Sequence, residues 1–235
     1  AFLTLTLKAN QTVTGLTLAI FGTGVSSYAG KSFVGNILPD SVKLFFSDIR
    51  LPLLGDIPFI GPVFFWYVIF VYLGYVAAVI AAIYIFKTRI GLNLRAVGEN
   101  SAAADASGIS VSLYKYVHVM LGGAFAGLGG AYLSLAYVPA WQENITAGRG
   151  WIAVALVIFC KWNPIYVLFG AFIFGGLDII GFRLQKFENL NISQYVVDMM
   201  PYFVTIFIIV ITSIKKKRES MPPGALGIPY FREER

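Results

Sequence analysis

From Gly61 to Phe86 the chain reads GPVFFWYVIFVYLGYVAAVIAAIYIF, without one charged side chain. About 20 apolar residues carry a helix across ~30 Å of hydrocarbon, so a run of this length leaves few alternatives. It is too long for a buried strand, and it lacks the apolar/polar alternation of a membrane barrel. In lipid every backbone N–H and C=O has to be satisfied within the protein, which a helix achieves on its own. A second run, YVVDMMPYFVTIFIIVITSI (Tyr195–Ile214), carries a single acid, Asp198, near one end. Charged residues make up 13% of the 235 residues, against about 25% in a soluble domain. The expectation is an all-α, polytopic integral membrane bundle.

Six hydrophobic segments are predicted: Thr12–Tyr28, Pro62–Phe86, Leu113–Val138, Trp151–Cys160, Ile165–Phe182 and Tyr195–Ile214. The first is rich in Gly, Thr and Ser, which suits a bundle interior. The fourth is too short to cross alone. With KWNP directly after it, it reads as a short, tilted or partly re-entrant helix turning into the fifth. Small residues recur four apart at Gly74/Ala78, Gly123/Gly127, Ala126/Gly130 and Ala171/Gly175. That spacing lets helices approach closely and argues for a compact bundle.

The net charge of +6 does not point to nucleic acid, because the basic residues flank the spans. Lys and Arg concentrate on the cytoplasmic side of a membrane protein. Placing Lys87–Ser110 in the cytoplasm puts 12 basic residues inside, among them Lys215–Arg218, and 6 outside. The carboxyl terminus is then cytoplasmic. The outer loop from Ala29 to Gly61 contains SVKLFFSDIR, a candidate surface-lying helix. Cys160 is the sole cysteine; an internal disulfide is excluded and a packing role is expected. The chain begins at Ala1 without a signal-peptide pattern, so a fragment or a processed product is expected.

KTRIGLNLRAVGENSAAADASGIS (Lys87–Ser110) separates two of these spans. Gly91 and Gly98 predict turns. Asn100 or Ser101 predicts a helix start by accepting a backbone N–H, AAADA has high helix propensity, and Gly108 is a natural terminator. The product is a helix of about two turns with little side-chain bulk, unable to bury itself alone. It suits a groove on another protein, with Arg95, Glu99 and Asp105 fixing register by charge pairing. An ordinary linker is the alternative.

TRIGLNLRAVGENSAAADASGISV resembles the cytoplasmic loop of permease subunits of ATP-binding-cassette (ABC) importers for simple sugars and nucleosides, the ribose-type permease superfamily. The resemblance continues through LGGAFAGLGGAYLSL (Leu121–Leu135), GRGWIAVALVIFCKWNP (Gly148–Pro164), FGGLDIIGFRLQ (Phe174–Gln185) and LKANQTVTGLTLAIFGTGVSS (Leu7–Ser27). The last two are most similar to the branch that serves nucleosides through a lipoprotein receptor. It implies a type II-like permease fold: one transmembrane domain over residues 1–218, a coupling loop over 87–112 and a cytoplasmic tail over 219–235. It also implies a coupling helix docked on a separate ATPase subunit, carried by Gly91, Leu92, Arg95, Ala96, Gly98, Glu99, Asn100, Ala103, Ala104, Asp105 and Gly108. ATP and Mg would be bound by that partner, with no cofactor in this chain. The further implied partners are a second permease copy or paralogue, an extracytoplasmic substrate-binding lipoprotein and membrane lipid. The implied location is the cell's inner membrane. Members of the family carry more helices ahead of the region matching LKANQTVTG, so the resemblance implies helices preceding this chain's first.

A transported polar solute needs hydrogen-bonding groups inside the bundle, where polar side chains are costly. The candidates are Asn10, Gln11, Thr14, Ser26 and Asp178. Thr and Ser also bond their own helix backbone, which is the competing explanation for the first segment. Asp178 is expected to face a cavity, to pair with Arg183 or to stabilise a neighbouring helix. Trp141, Gln142, Glu143 and Arg149 are expected on the outer face, either docking a binding protein or anchoring helices at the membrane surface. His118 is the only histidine, and packing within its helix is expected. The sequence contains no GxxxxGK[ST] loop, no nucleophile–base pair and no clustered metal ligands. An ion-gradient-driven secondary transporter and a membrane enzyme are the rival classes, and neither has the constellation it requires.

Overall fold

The computed structural model describes residues 1–50, 52, 56–58, 60–146, 148–184, 193, 196, 199–200, 202–207, 210 and 222–232; the side chains of residues 60, 178, 181, 182 and 184 are not included. The elements in chain order are α1 (Gln11–Gly30), α2 (Asp40–Phe45), β1 (Ile49–Arg50), α3 (Ile60–Phe64), β2 (Trp66–Tyr67), α4 (Ile69–Lys87), α5 (Arg89–Glu99), α6 (Ser101–Ala106), α7 (Val111–Tyr132), α8 (Arg149–Phe159) and α9 (Pro164–Leu184). Single π-helical turns stand at Phe2–Thr6 and at Leu133–Tyr137, where the second prolongs α7.

Two compact units are distinguished. One is drawn from Ala1–Val76, Arg89–Ala147 and Gly224–Arg235, the other from Ala77–Thr88 and Gly148–Pro223. In the first unit α1 starts at a capped end: the Asn10 side chain accepts the N–H of Val13 at 3.1 Å. The other end of α1 is Gly30, buried under the indole of Trp141. The segment after α1 meets the segment after α7 in isolated bridges, Val34 with Trp141 and Ile37 with Ala140.

The apolar run from Gly61 to Phe86 is not one helix. Residues 60–64 form α3, Trp66 and Tyr67 pair antiparallel with Arg50 and Ile49, and only then does α4 begin. Arg50 holds the strand pair from one side, bonding Asp56 and lying 4.9 Å from the Trp66 ring centroid. Aromatic and β-branched residues favour an extended pair, and the expectation of a single span from Pro62 is corrected to a span from Ile69. The stretch SVKLFFSDIR likewise divides into α2 and β1, with Phe46 stacked on Phe70 at 5.1 Å. Gly91 and Gly98 do not turn the chain as expected. Both lie within α5, where Ile90, Leu94 and Val97 recur at helical spacing. A glycine inside a helix costs about 1 kcal/mol relative to alanine, a penalty offset by the burial of Val97 against Ala104 and Val111.

In the second unit α8 and α9 form a hairpin around Cys160, which is 1% exposed. Lys161 and Trp162 both take positive φ (52° and 60°) and reverse the chain between the helices, as the short fourth segment led one to expect. Cys160 Sγ donates to Tyr166 O at 3.1 Å, and Phe159 meets Phe174 edge-on at 5.7 Å. Gly170 makes the close approach possible: a Cβ there would lie 2.6 Å from both Cys160 Sγ and Leu156 Cδ1. Gly170→Ala is therefore expected to cost about 1–3 kcal/mol by overpacking. A raised rate of maleimide labelling at Cys160, which is inert while buried, measures the effect.

Two helices among the described residues are long and apolar enough to cross a membrane, Ile69–Lys87 and Val111–Tyr137. Their apolar side chains point outward: Ile80 is 60% exposed and Phe125 56%. Surfaces of this extent are untenable in water and suit lipid. Among the described residues, the glycines at Gly74, Gly123, Gly127, Gly130 and Gly175, expected to bring helices together, have no atom outside their own helix backbone within 4 Å of the Cβ position. Among the described residues, no close helix contact is made at those glycines. Half of the sixth predicted segment, Tyr195–Ile214, with Asp198, and the basic Lys215–Arg218 lie outside the described residues; residues 202–207 are helical.

Candidate functional site

α5, α6 and the start of α7 surround the one core cluster of the first unit's described residues, built from Val97, Ala104 and Val111, at 2–3% exposure. Each helix contributes one of the three. Asn93 on α5 ties to α7 through its Nδ2, which donates to Tyr114 Oη at 3.0 Å.

α6 is bounded by side-chain and backbone caps at both ends. Asn100 accepts the N–H of Ala103 at 3.0 Å, satisfying a donor that the first turn leaves open. At the far end Ile109 N donates to Ala104 O at 3.1 Å and Gly108 N to Asp105 O at 2.9 Å. This is a Schellman termination, and it requires the left-handed φ of +83° found at Gly108. Ile109 then packs on the Ala104 cluster, the hydrophobic contact that accompanies such a cap.

Of the residues singled out in this loop, Leu92, Arg95, Glu99, Asn100 and Ala103 are exposed, and so are Ala102 and Ala106. Ala96 and Gly98 are half-buried and Gly91 is buried. Ala104, read from the sequence as part of a helix unable to bury itself, is buried against this chain's own Val97 and Val111. The helix is thus two-sided: Ser101 and Ala104 face inward, whereas Ala102, Ala103 and Ala106 form a smooth outer face. Asp105 is also engaged internally, at 13% side-chain exposure: its Oδ2 accepts from Tyr230 Oη at 2.8 Å and lies 3.4 Å from Arg232 Nε in an ion pair.

Tyr230 and Arg232 were not singled out from the sequence. The signal was present in the apolar and aromatic run Ile228–Phe231, which is out of place in a solvated tail.

The candidate pathway residues on α1 are spread along the helix. Asn10 is the cap of α1, and Gln11 borders a cavity of 30 Å³ with Thr4, Leu5, Val111, Ser112, Lys115 and Tyr230. Thr14 is 8% exposed, and its hydroxyl donates to Asn10 O at 2.7 Å, within its own helix. Ser26 is exposed near the other end of α1, roughly 24 Å from Asn10 at 1.5 Å per residue. Asp178 falls on α9, but its side chain lies outside the described residues. Trp141 packs on Gly30, whereas Gln142, Glu143 and Arg149 are exposed. His118 behaves as expected, its Nδ1 donating to Tyr114 O at 2.7 Å while its ring stacks on Tyr114 at 5.9 Å. Among the described residues no group of three or more His, Cys, Asp or Glu is placed to hold a metal.

Outward-facing apolar helices on either side of the short polar stretch in the chain define an integral membrane protein. The chain belongs to the family described as the permease component of the branched-chain amino acid transport system, whose model matches residues 1–209. It is 34% identical, over 98% of its length and 72% of the relative's, to the guanosine ABC transporter permease protein NupQ of Bacillus subtilis. It is 32% identical to the nucleoside ABC transporter permease protein NupC of Lactococcus lactis, over 100% of the chain and 73% of the relative. A Haloferax volcanii protein provisionally named as the glucose ABC transporter permease TsgC13 is also 32% identical, over 99% of this chain and 76% of its own. No solved structure matches the chain. The protein is an ABC transporter permease, and the ion-gradient-driven alternative is set aside.

Proposed function

We propose that this chain is the membrane subunit of an importer that takes up a nucleoside or simple sugar, driven by a separate ATPase that grips α6 from the cytoplasm. The observation that carries the reading is the capped α6 with Ala102, Ala103 and Ala106 outward and Arg95 and Glu99 exposed nearby. A short helix fixed at both ends, smooth on one face and charged at its margin, fits a groove on a partner. The methyl groups allow close approach and the charges set register. The nucleoside and sugar names of the relatives support the substrate class.

In this reading residues 1–218 form the transmembrane domain of a type II-like permease in the inner membrane. The coupling loop spans 87–112, and the carboxyl terminus over 219–235 is cytoplasmic. A second permease, identical or paralogous, completes the pathway, and a lipoprotein delivers the solute outside. The partner binds ATP and Mg. Closure of the two ATPase subunits moves α6, and the spans shift between outward-open and inward-open states. The chain makes no covalent bond to its cargo; its contribution is a set of conformations that the partners stabilise differently. Asn10, Gln11, Thr14, Ser26 and Asp178 remain the proposed pathway groups.

The test is uptake into proteoliposomes. Uptake of labelled guanosine or glucose is expected only with the ATPase, ATP and the binding protein, and it is expected to survive ionophores that collapse proton and sodium gradients. Uptake lost on adding the ionophores would rule the proposal out.

A further inference from the structure

Residues 224–232 run beside α6 and are attached on either side of it, to the end of α5 that precedes it and to its own last turn. On the amino-terminal side Ala225 N donates to Gly98 O at 2.9 Å, and Gly224 N reaches Glu99 Oε2 at 3.5 Å. The backbones approach so closely that a Cβ on Gly224 would lie 2.9 Å from Glu99 O. A turn follows, closed by Ile228 N donating to Ala225 O at 3.3 Å, with Gly227 at φ +77°. The chain then reaches the last turn of α6, where Tyr230 and Arg232 both hold Asp105.

The Tyr230 ring packs against the Val97–Ala104–Val111 cluster. Lys8 Nζ sits 4.1 Å from the Phe231 ring centroid, so the chain ahead of α1 is drawn into the same knot. The outer face of α6, at Ala102, Ala103 and Ala106, stays open.

We propose that residues 224–232 are a strap that fixes the orientation of α6, with Tyr230 as its positioning residue. The proposal rests on the docking reading above for its role in transport. A helix of six residues has too few internal bonds to hold its own direction. A force applied to its outer face reaches the spans through its joints with α5 and α7, and the strap ties the end of α5 at Gly98 and Glu99 to the last turn of α6 at Asp105. Of the two groups on Asp105, Tyr230 is the one that holds. The Arg232 side chain is 78% exposed, and an ion pair in water contributes little. The tyrosine hydroxyl instead makes a short bond to a carboxylate from a ring that is itself packed.

Tyr230→Phe and Asp105→Asn in the full chain test this, since neither removes the packed ring. Hydrogen exchange at residues 101–106 of the permease alone is expected to quicken about tenfold in Tyr230→Phe. In the complex, ATPase co-purification is expected to hold while solute taken up per ATP hydrolysed falls at least threefold. The double variant is expected to fall no further than Asp105→Asn, because both changes break the same bond. A purely structural role would lower the yield of inserted protein and leave the ratio alone. Unchanged exchange, or faster exchange with an unchanged ratio, overturns the strap. A wild-type chain that recruits no ATPase would remove the docking reading instead, and the exchange measurement would still decide whether the strap holds α6.

Discussion

Ala103→Arg is expected to abolish ATPase co-purification and to lower ATP-driven uptake at least tenfold, with membrane insertion unchanged. Ala103 stands on the open face of α6, and its bonds are made by its backbone alone, the N–H to the Asn100 side chain and the carbonyl to Ser107. Arginine has nearly the helix propensity of alanine, and a side chain directed into solvent changes stability by about 0.5 kcal/mol or less. The variant therefore leaves the chain folded while placing bulk and charge where a partner has to close. An unpaired charge forced into an interface costs several kcal/mol, and each 1.4 kcal/mol is tenfold in affinity. Ala104→Arg, one position on, is expected to be uninformative: Ala104 is 3% exposed inside the cluster with Val97 and Val111, and arginine there would unfold the unit. Normal co-purification of Ala103→Arg would mean that the ATPase does not close on this face.

These two neighbours also mark how far the sequence could be read. Composition and run length were enough for the membrane class, because long uncharged runs have few folded solutions. The start and stop of α6 were legible too, since capping chemistry is local: Asn100 and Gly108 act within a few residues of themselves. What was not legible depends on contacts distant in the chain. Ala103 and Ala104 are the same residue type side by side, and nothing local says that one faces outward and the other meets Val111. Tyr230, which bonds Asp105, lies 125 residues further on, beyond any periodicity. Gly91 and Gly98 were misread for the same reason, because the amphipathic spacing of α5 overrides two glycines only once its inner face is covered. At Trp66 and Tyr67 hydrophobicity alone did not separate helix from strand, since strand pairing with Ile49 and Arg50 decides it.

Gly30→Val is expected to destabilise the first unit by about 2–3 kcal/mol, and Trp141→Ala is expected to cost a similar amount. Gly30 ends α1 buried beneath the indole, and a Cβ there would coincide with the ring atoms Cζ2 and Cε2 of Trp141. Backbone cannot give way at that point, because Val34 bridges to the same tryptophan and Ile37 to its neighbour Ala140. The ring has to leave. A tryptophan buries 150–250 Å² when fully covered; expelling a half-buried one at ~25 cal/mol per Å² forfeits about 2.5 kcal/mol, in line with the usual cost of overpacking. The indole Nε1 has no hydrogen-bond partner among the described residues, so the ring is held by shape and not by polarity. Trp141→Phe is consequently expected to be mild, whereas Gly30→Val combined with Trp141→Ala is expected to be hardly worse than either alone. That non-additivity, read from unfolding midpoints in mixed micelles, isolates the pair from general damage. Additive losses would mean that the glycine is needed for some reason other than the tryptophan lying on it.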